Sequence, residues 1–282
     1  MRNQKTITKT VVFEGIGLHS GIYCHVRLHP APINHGIVFK RFDNDTLIKA
    51  NLESIFDTTY STSIGNNDIS FQTIEHLLAA LSAFNIDNIS IETDSNEIPI
   101  LDGSALGFVE IFREAGIIEQ DCPVKYLRII KPFSYNVNGC GVKAEPNEKR
   151  TFTFRIDFKE DFIGEQELSI DIDEESFIKG IAPARTFGFL KDVDYLKSIG
   201  RALGGSTDNA VVFSDTGVIN ETGLRFSDEC VRHKILDLIG DLSIFAVPIL
   251  GHIKAYKSGH SINIQFLREL YKNTDKWEVI TD

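Results

Sequence analysis

Arg232-His233-Lys234-Ile235-Leu236-Asp237-Leu238-Ile239-Gly240-Asp241-Leu242 is the stretch from which the rest of the chain can be read. Ile235, Leu236, Leu238, Ile239 and Leu242 recur at helical spacing, with Ser227 ahead and Pro248 beyond. That predicts one helix from about Ser227 to Phe245. His233, Asp237 and Asp241 then stand four residues apart on one face, one turn above another. An imidazole and two carboxylates beside an apolar helix are costly to bury unless something binds them, and a divalent metal is the obvious candidate. The alternative is a solvated face with one stray histidine, and the rest of the chain has to decide between the two.

The chain has 282 residues, enough for one large domain or two ordinary ones, and is 42% hydrophobic and 24% charged, as a globular protein with a real core should be. No apolar run approaches a membrane span, and the N-terminus, Met1-Arg2-Asn3-Gln4-Lys5, leads into alternating residues without an apolar signal segment. A cytoplasmic location is expected. Cys24, Cys122, Cys140 and Cys230 form no C-x-x-C pair, which argues against a disulfide framework or a cysteine zinc site. A formal net charge of -11 disfavours nucleic acid as a partner. A small anionic substrate needs a local gathering of cations, for which Arg185, Lys191, Arg232, Lys234, Lys254 and Lys257 are candidates.

Residues 5–14 read as a strand ending at the turn Gly15-Ile16-Gly17-Leu18-His19-Ser20-Gly21. Alternation from Ile22 to Leu28 predicts a half-buried strand whose polar face carries His25 and His29, and 36–42 predicts another. Thr73 is a plausible N-cap for a helix from Ile74 to Leu81 that would hold Glu75 and His76 in its first turn. A strand over 88–93, a turn at Asp102-Gly103-Ser104 and a helix over 104–115 follow. Cys122 and Pro123 interrupt the pattern, and a domain boundary is placed within 117–125. Strands are then expected near 126–137, 151–158 and 251–257, and helices at 174–179, through Tyr195 and Leu196, and over 261–272. Each half thus reads as several strands, mostly antiparallel by connection length, with about two helices, which suggests two α+β sandwiches packed together. No residue-level repeat supports their similarity.

A catalytic zinc has three protein ligands and an open position. His233 and Asp237 supply two ligands, and His76 is the best third, on a helix that is otherwise apolar. Glu75 beside it is placed to act as a base on water, though a first-turn carboxylate is also favoured simply by the helix dipole.

Five motifs carry a resemblance that goes further. Thr73-Ile74-Glu75-His76-Leu77, Ile100-Leu101-Asp102-Gly103-Ser104-Ala105, Ala184-Arg185-Thr186-Phe187-Gly188-Phe189, Arg232-His233-Lys234-x-x-Asp237-x-x-Gly240-Asp241 and Ser258-Gly259-His260-Ser261 stand in one order. Together they resemble the UDP-3-O-acyl-N-acetylglucosamine deacetylases, zinc amidases of lipid A biosynthesis in Gram-negative bacteria, from the Gly17–Gly21 turn to about Leu270. The resemblance implies hydrolysis of the acetamide of UDP-3-O-(3-hydroxyacyl)-N-acetylglucosamine to the free amine and acetate. It implies His76, His233 and Asp237 as Zn2+ ligands, a donor set that also admits Fe2+. It implies Glu75 as general base, His260 as general acid, and Asp241 as the partner that keeps His260 cationic. Thr186 would help hold the oxyanion, and Lys234 would lend positive charge to oxyanion or substrate.

The insertion 181–200, with Phe187, Phe189, Val193 and Leu196, would wall a passage for the acyl chain. Phe187 would also stack on the sugar or nucleotide, with Asp192 and the Gly205-Ser206 turn as further substrate contacts, and Lys234 and Arg232 as cations for the diphosphate.

The expected fold class is α+β. Two similar domains, each an antiparallel or mixed sheet with about two helices, pack as a β-α-α-β sandwich with the active site between them. The expected boundaries are 1–122, 126–272 and a tail 273–282. A monomer without nucleic-acid partner or transmembrane segment is expected. Two rivals remain: a metal-dependent amidase or peptidase with another substrate, and a non-catalytic acyl-nucleotide binder with a structural metal. Glu75 and His260 speak against the second, because a closed structural site needs neither.

Overall fold

The computed structural model describes residues 2–281. Its six helices are α1 (Glu75–Ala83), α2 (Leu106–Ala115), α3 (Glu174–Gly180), α4 (Leu190–Ser198), α5 (Glu229–Ser243) and α6 (His260–Lys272). The chain is α+β, as expected. In the first half, five strands form one sheet in the order Val11–Ile16, Tyr23–Pro30, Ile89–Thr93, Ile37–Arg41, Asn44–Lys49. In the second half, seven strands form one sheet whose hub is Ile249–Tyr256. It runs antiparallel to Cys140–Glu145 and parallel to Arg150–Asp157 and, at its start, to Lys125–Ile129. Alternation builds these sheets: in Arg150–Asp157 it turns Phe152, Phe154 and Ile156 into the core. α1 packs on α5, and α5 and α6 lie against strands of the second sheet. The helices thus share the interior with a single cluster of buried side chains drawn from both halves.

Two three-stranded sheets stand outside this sandwich. One joins Ile55–Asp57, Ser63–Gly65 and Ser70–Phe71; the other joins Phe187–Phe189, Val211–Ser214 and Gly217–Val218. Thr62 and Thr186 each immediately precede a strand of these small sheets.

Several expectations need correction. The strand read over 5–14 is two, Asn3–Ile7 and Val11–Ile16, and the first pairs with Ile117–Pro123, so the interruption near Cys122 is itself a strand. Strand pairing is more mixed than the short connections suggested: four pairs are parallel, each needing a crossover. Residues 273–281 are not a tail. Trp277–Thr281 is an edge strand antiparallel to Lys125–Ile129, and the Trp277 indole donates to the Leu270 carbonyl at 2.9 Å. Asp282 lies outside the described residues.

Thr73 does not cap α1. Its backbone sits in the left-handed region at φ 59°, and its hydroxyl donates at 3.0 Å to the buried carboxylate of Glu97. The same carboxylate accepts the N–H groups of His19 and Ser20, both at 2.8 Å, so Glu97 fastens the Gly17–Gly21 turn to the start of α1.

Candidate active site

α1 and α5 meet at Gly240. A Cβ there would overlap the carbonyl of Glu75, so only glycine lets α5 come this close to the first turn of α1. That approach sets His76 beside the column read from sequence. The Nε2 atoms of His76 and His233 lie 3.6 and 3.3 Å from Oδ1 of Asp237, and one donor atom from each of the three residues falls within 4.8 Å of the others. The two imidazole rings meet edge to face at 4.9 Å. All three side chains are buried.

The ring orientations are set by neighbours. His233 Nδ1 lies 3.1 Å from the Ala184 carbonyl, which can only accept, so Nδ1 donates there and Nε2 faces Asp237. His76 Nδ1 has no partner among the described residues. Burial works against a charged Asp237. His233 and Lys234 outweigh it and hold the carboxyl well below its usual range. Two imidazoles and an ionised carboxylate, with one donor atom of each converging, fit a tetrahedral divalent ion with one position left over.

Glu75 lies on the rim. Burial first, then Asp241 and Asp237, push its carboxyl up to about 7, against the pull of His260. Oε2 accepts the backbone N–H of Thr62 at 3.0 Å, and Oε1 is 3.8 Å from His260 Nε2. His260 opens α6, and its Nδ1 sits 2.9 Å from Asp241 Oδ2. Burial opposes the imidazolium, but Asp241 and Glu75 raise its pKa to about 10. Asp241 is fully buried and also accepts from the Thr62 hydroxyl and, at 2.8 Å, from the Asn263 amide. Neither Thr62 nor Asn263 was read from sequence: both sit in runs without a motif, and only the fold brings them to Asp241.

The remaining expectations divide. Thr186 is pinned through its backbone, donating to the Gly103 carbonyl and accepting from Val211 N–H, both at 2.7 Å. The Phe187 ring lies 6.3 Å from that of His233, so Phe187 borders the cluster. Phe187 and Phe189 belong to an aromatic group with Phe158, Phe162 and Phe213. α4 has no buried residue, and Asp192 is exposed in its first turn with no contact tying it to the cluster. Gly205 and Ser206 complete a turn: Gly205 donates to the Ala202 carbonyl at 3.2 Å, and Ser206 N–H donates to Asn209 at 2.8 Å.

The expected free cations are taken. Lys234 Nζ holds Asp237 Oδ2 at 2.7 Å, and Arg185, Lys191, Arg232, Lys254 and Lys257 pair with Glu229, Glu160, Asp228, Glu145 and Asp157. A diphosphate therefore has to compete with these carboxylates or find other donors.

Comparison with known proteins places this site in a family. The family model for UDP-3-O-acyl N-acetylglycosamine deacetylase matches residues 4–272. The chain belongs to that family. A UDP-3-O-acyl-N-acetylglucosamine deacetylase of Pseudomonas entomophila (strain L48) is 43% identical over 284 residues, covering 99% of this chain and 94% of the relative. Deacetylases of the same name from Syntrophotalea carbinolica and Thermodesulfovibrio yellowstonii are 46% and 47% identical, covering 98% and 95% of this chain and 90% and 91% of their own lengths. The likeness to this deacetylase family thus spans both halves of the chain, and with them both helices of the cluster.

Proposed function

We propose that this chain is a metal-dependent deacetylase that removes the N-acetyl group of UDP-3-O-(3-hydroxyacyl)-N-acetylglucosamine, releasing acetate and the free amine in lipid A biosynthesis. The observation that carries the reading is the meeting of His76, His233 and Asp237 from two distant helices, with Glu75 and the His260–Asp241 pair on the rim. Family membership supplies the substrate class.

In this reading His76, His233 and Asp237 hold the ion, Zn2+ by preference, with Fe2+ compatible with the same donors. When bound, the ion supplies Lewis acidity to the acetamide carbonyl and acidifies a water. Glu75, with its carboxyl near pH 7, takes the proton from the attacking water. His260, kept cationic by Asp241, gives a proton to the departing nitrogen. Thr186 and Lys234 border the place where negative charge develops. Lys234 acts first on Asp237 and reaches the oxyanion only as a neighbouring charge. The aromatic group around Phe187 and Phe189, with α4, walls the acyl chain, while Asp192, Gly205 and Ser206 serve as outer substrate contacts.

The chain divides into units of residues 1–122 and 126–281, the second including its last strand. It works in the cytoplasm as a monomer; no described helix is long and apolar enough to cross a membrane. The deciding assay is acetate release from the acylated UDP-sugar, before chelation, after it, and with metal restored. Turnover that persists undiminished in chelator would remove the ion from the reaction. Cleavage of peptides with none of the UDP-sugar would favour the other amidase.

A further inference from the structure

One buried ion pair ties Arg185, next to the Ala184 carbonyl, to the start of α5. The side chains of Arg185 and Glu229 are 4% and 1% exposed. Arg185 Nε donates to Glu229 Oε1 at 2.9 Å and Nη2 to Oε2 at 3.1 Å, a forked contact across the guanidinium. The backbone N–H of Arg185 adds a bond to Oε1 at 3.0 Å, that of Arg225 one to Oε2 at 2.7 Å, and Nη2 also reaches the Gly223 carbonyl at 2.7 Å. Burial works against the Glu229 carboxylate, and these donors keep its pKa below the usual value all the same.

The position of the pair gives it a second consequence. Glu229 is the first residue of α5, one turn ahead of His233. Arg185 directly follows Ala184, whose carbonyl lies 3.1 Å from His233 Nδ1. A buried pair seldom adds stability over a well-packed apolar one, but it is directional. The fork fixes the rotation of the 184–186 backbone relative to α5.

We propose that Arg185 and Glu229 are positioning residues for the deacetylation: their fork aims the Ala184 carbonyl that orients the His233 ring. The role in turnover rests on the functional reading above; the orientation of the ring does not.

The test compares the parent with Arg185→Lys, Glu229→Gln and the apolar double variant Arg185→Met/Glu229→Leu. Crystal structures are expected to show the Ala184 carbonyl and the His233 ring turned from their parental places in the variants. Zinc affinity is expected to fall about 10–100-fold, and kcat by a similar factor with KM unchanged. The double variant should regain the parental melting temperature but neither the parental His233 orientation nor kcat. A parental His233 orientation and parental zinc affinity in Arg185→Lys and the double variant would reduce the pair to a structural staple. Should Arg185→Lys not fold, the double variant, which buries no charge, gives the same readings. If the parent does not turn over the acylated UDP-sugar, the functional reading fails, while the structures and the zinc measurements still decide the pair.

Discussion

Glu75 and His260 face each other across 3.8 Å with both proton affinities raised, the carboxyl to about 7 and the imidazole to about 10. Such a pair can keep a base and an acid poised at neutral pH. Glu75→Gln should lower kcat about 100-fold or more while bound zinc, measured by metal analysis, stays at the parental level. A variant that keeps parental turnover would take Glu75 out of the chemistry. The His260 pKa is raised above its unfolded value of 6.5, so the stabilisation from its charge is complete below about that pH. It is lost as pH rises through about 10. Activity that needs the imidazolium should fall over the same alkaline range. Asp241→Asn removes the leading cause of the rise, so the alkaline limb of the kcat profile should move to lower pH. An unmoved limb would separate Asp241 from His260.

At the scale of elements, the site depends on how closely α1 and α5 pack. Gly240→Ala forces a methyl group into the Glu75 carbonyl and its Cα. Helix propensity favours alanine, but overpacking of this kind costs about 1–3 kcal/mol and should win. The expected result is a lower melting temperature together with weaker zinc binding, since the parting helices carry His76 on one side and His233 and Asp237 on the other. Calorimetry and zinc titration check it, and a variant as stable and as tight as the parent would show that the helices have room to spare. The sequence announced both helices. α5 was expected from about Ser227 to Phe245 and spans Glu229–Ser243, because its apolar residues repeat with the helical period. The cap of α1 was misread because Thr73 answers to Glu97, which lies 24 residues further along the chain.

For the whole molecule, an ion held by His76, His233 and Asp237 would bridge two segments that are remote in sequence, so it should bind the folded chain far better than the unfolded one. Chelation should therefore lower the melting temperature, and zinc at 100 times its dissociation constant should restore about 2.7 kcal/mol of stability. Scanning calorimetry with and without chelator measures this, and a melting temperature indifferent to zinc would leave the triad without an ion.

The sequence by itself determined the α+β class, the column of His233, Asp237 and Asp241, and the adjacency of Glu75 and His76, because periodicity and spacing are local properties. Tertiary structure alone decided that Thr62 and Asn263 serve Asp241, that Lys234 and Arg185 are already paired, and that residues 277–281 close a sheet edge. Those facts depend on which surfaces meet when the helices and sheets pack, and no short stretch of chain carries that information.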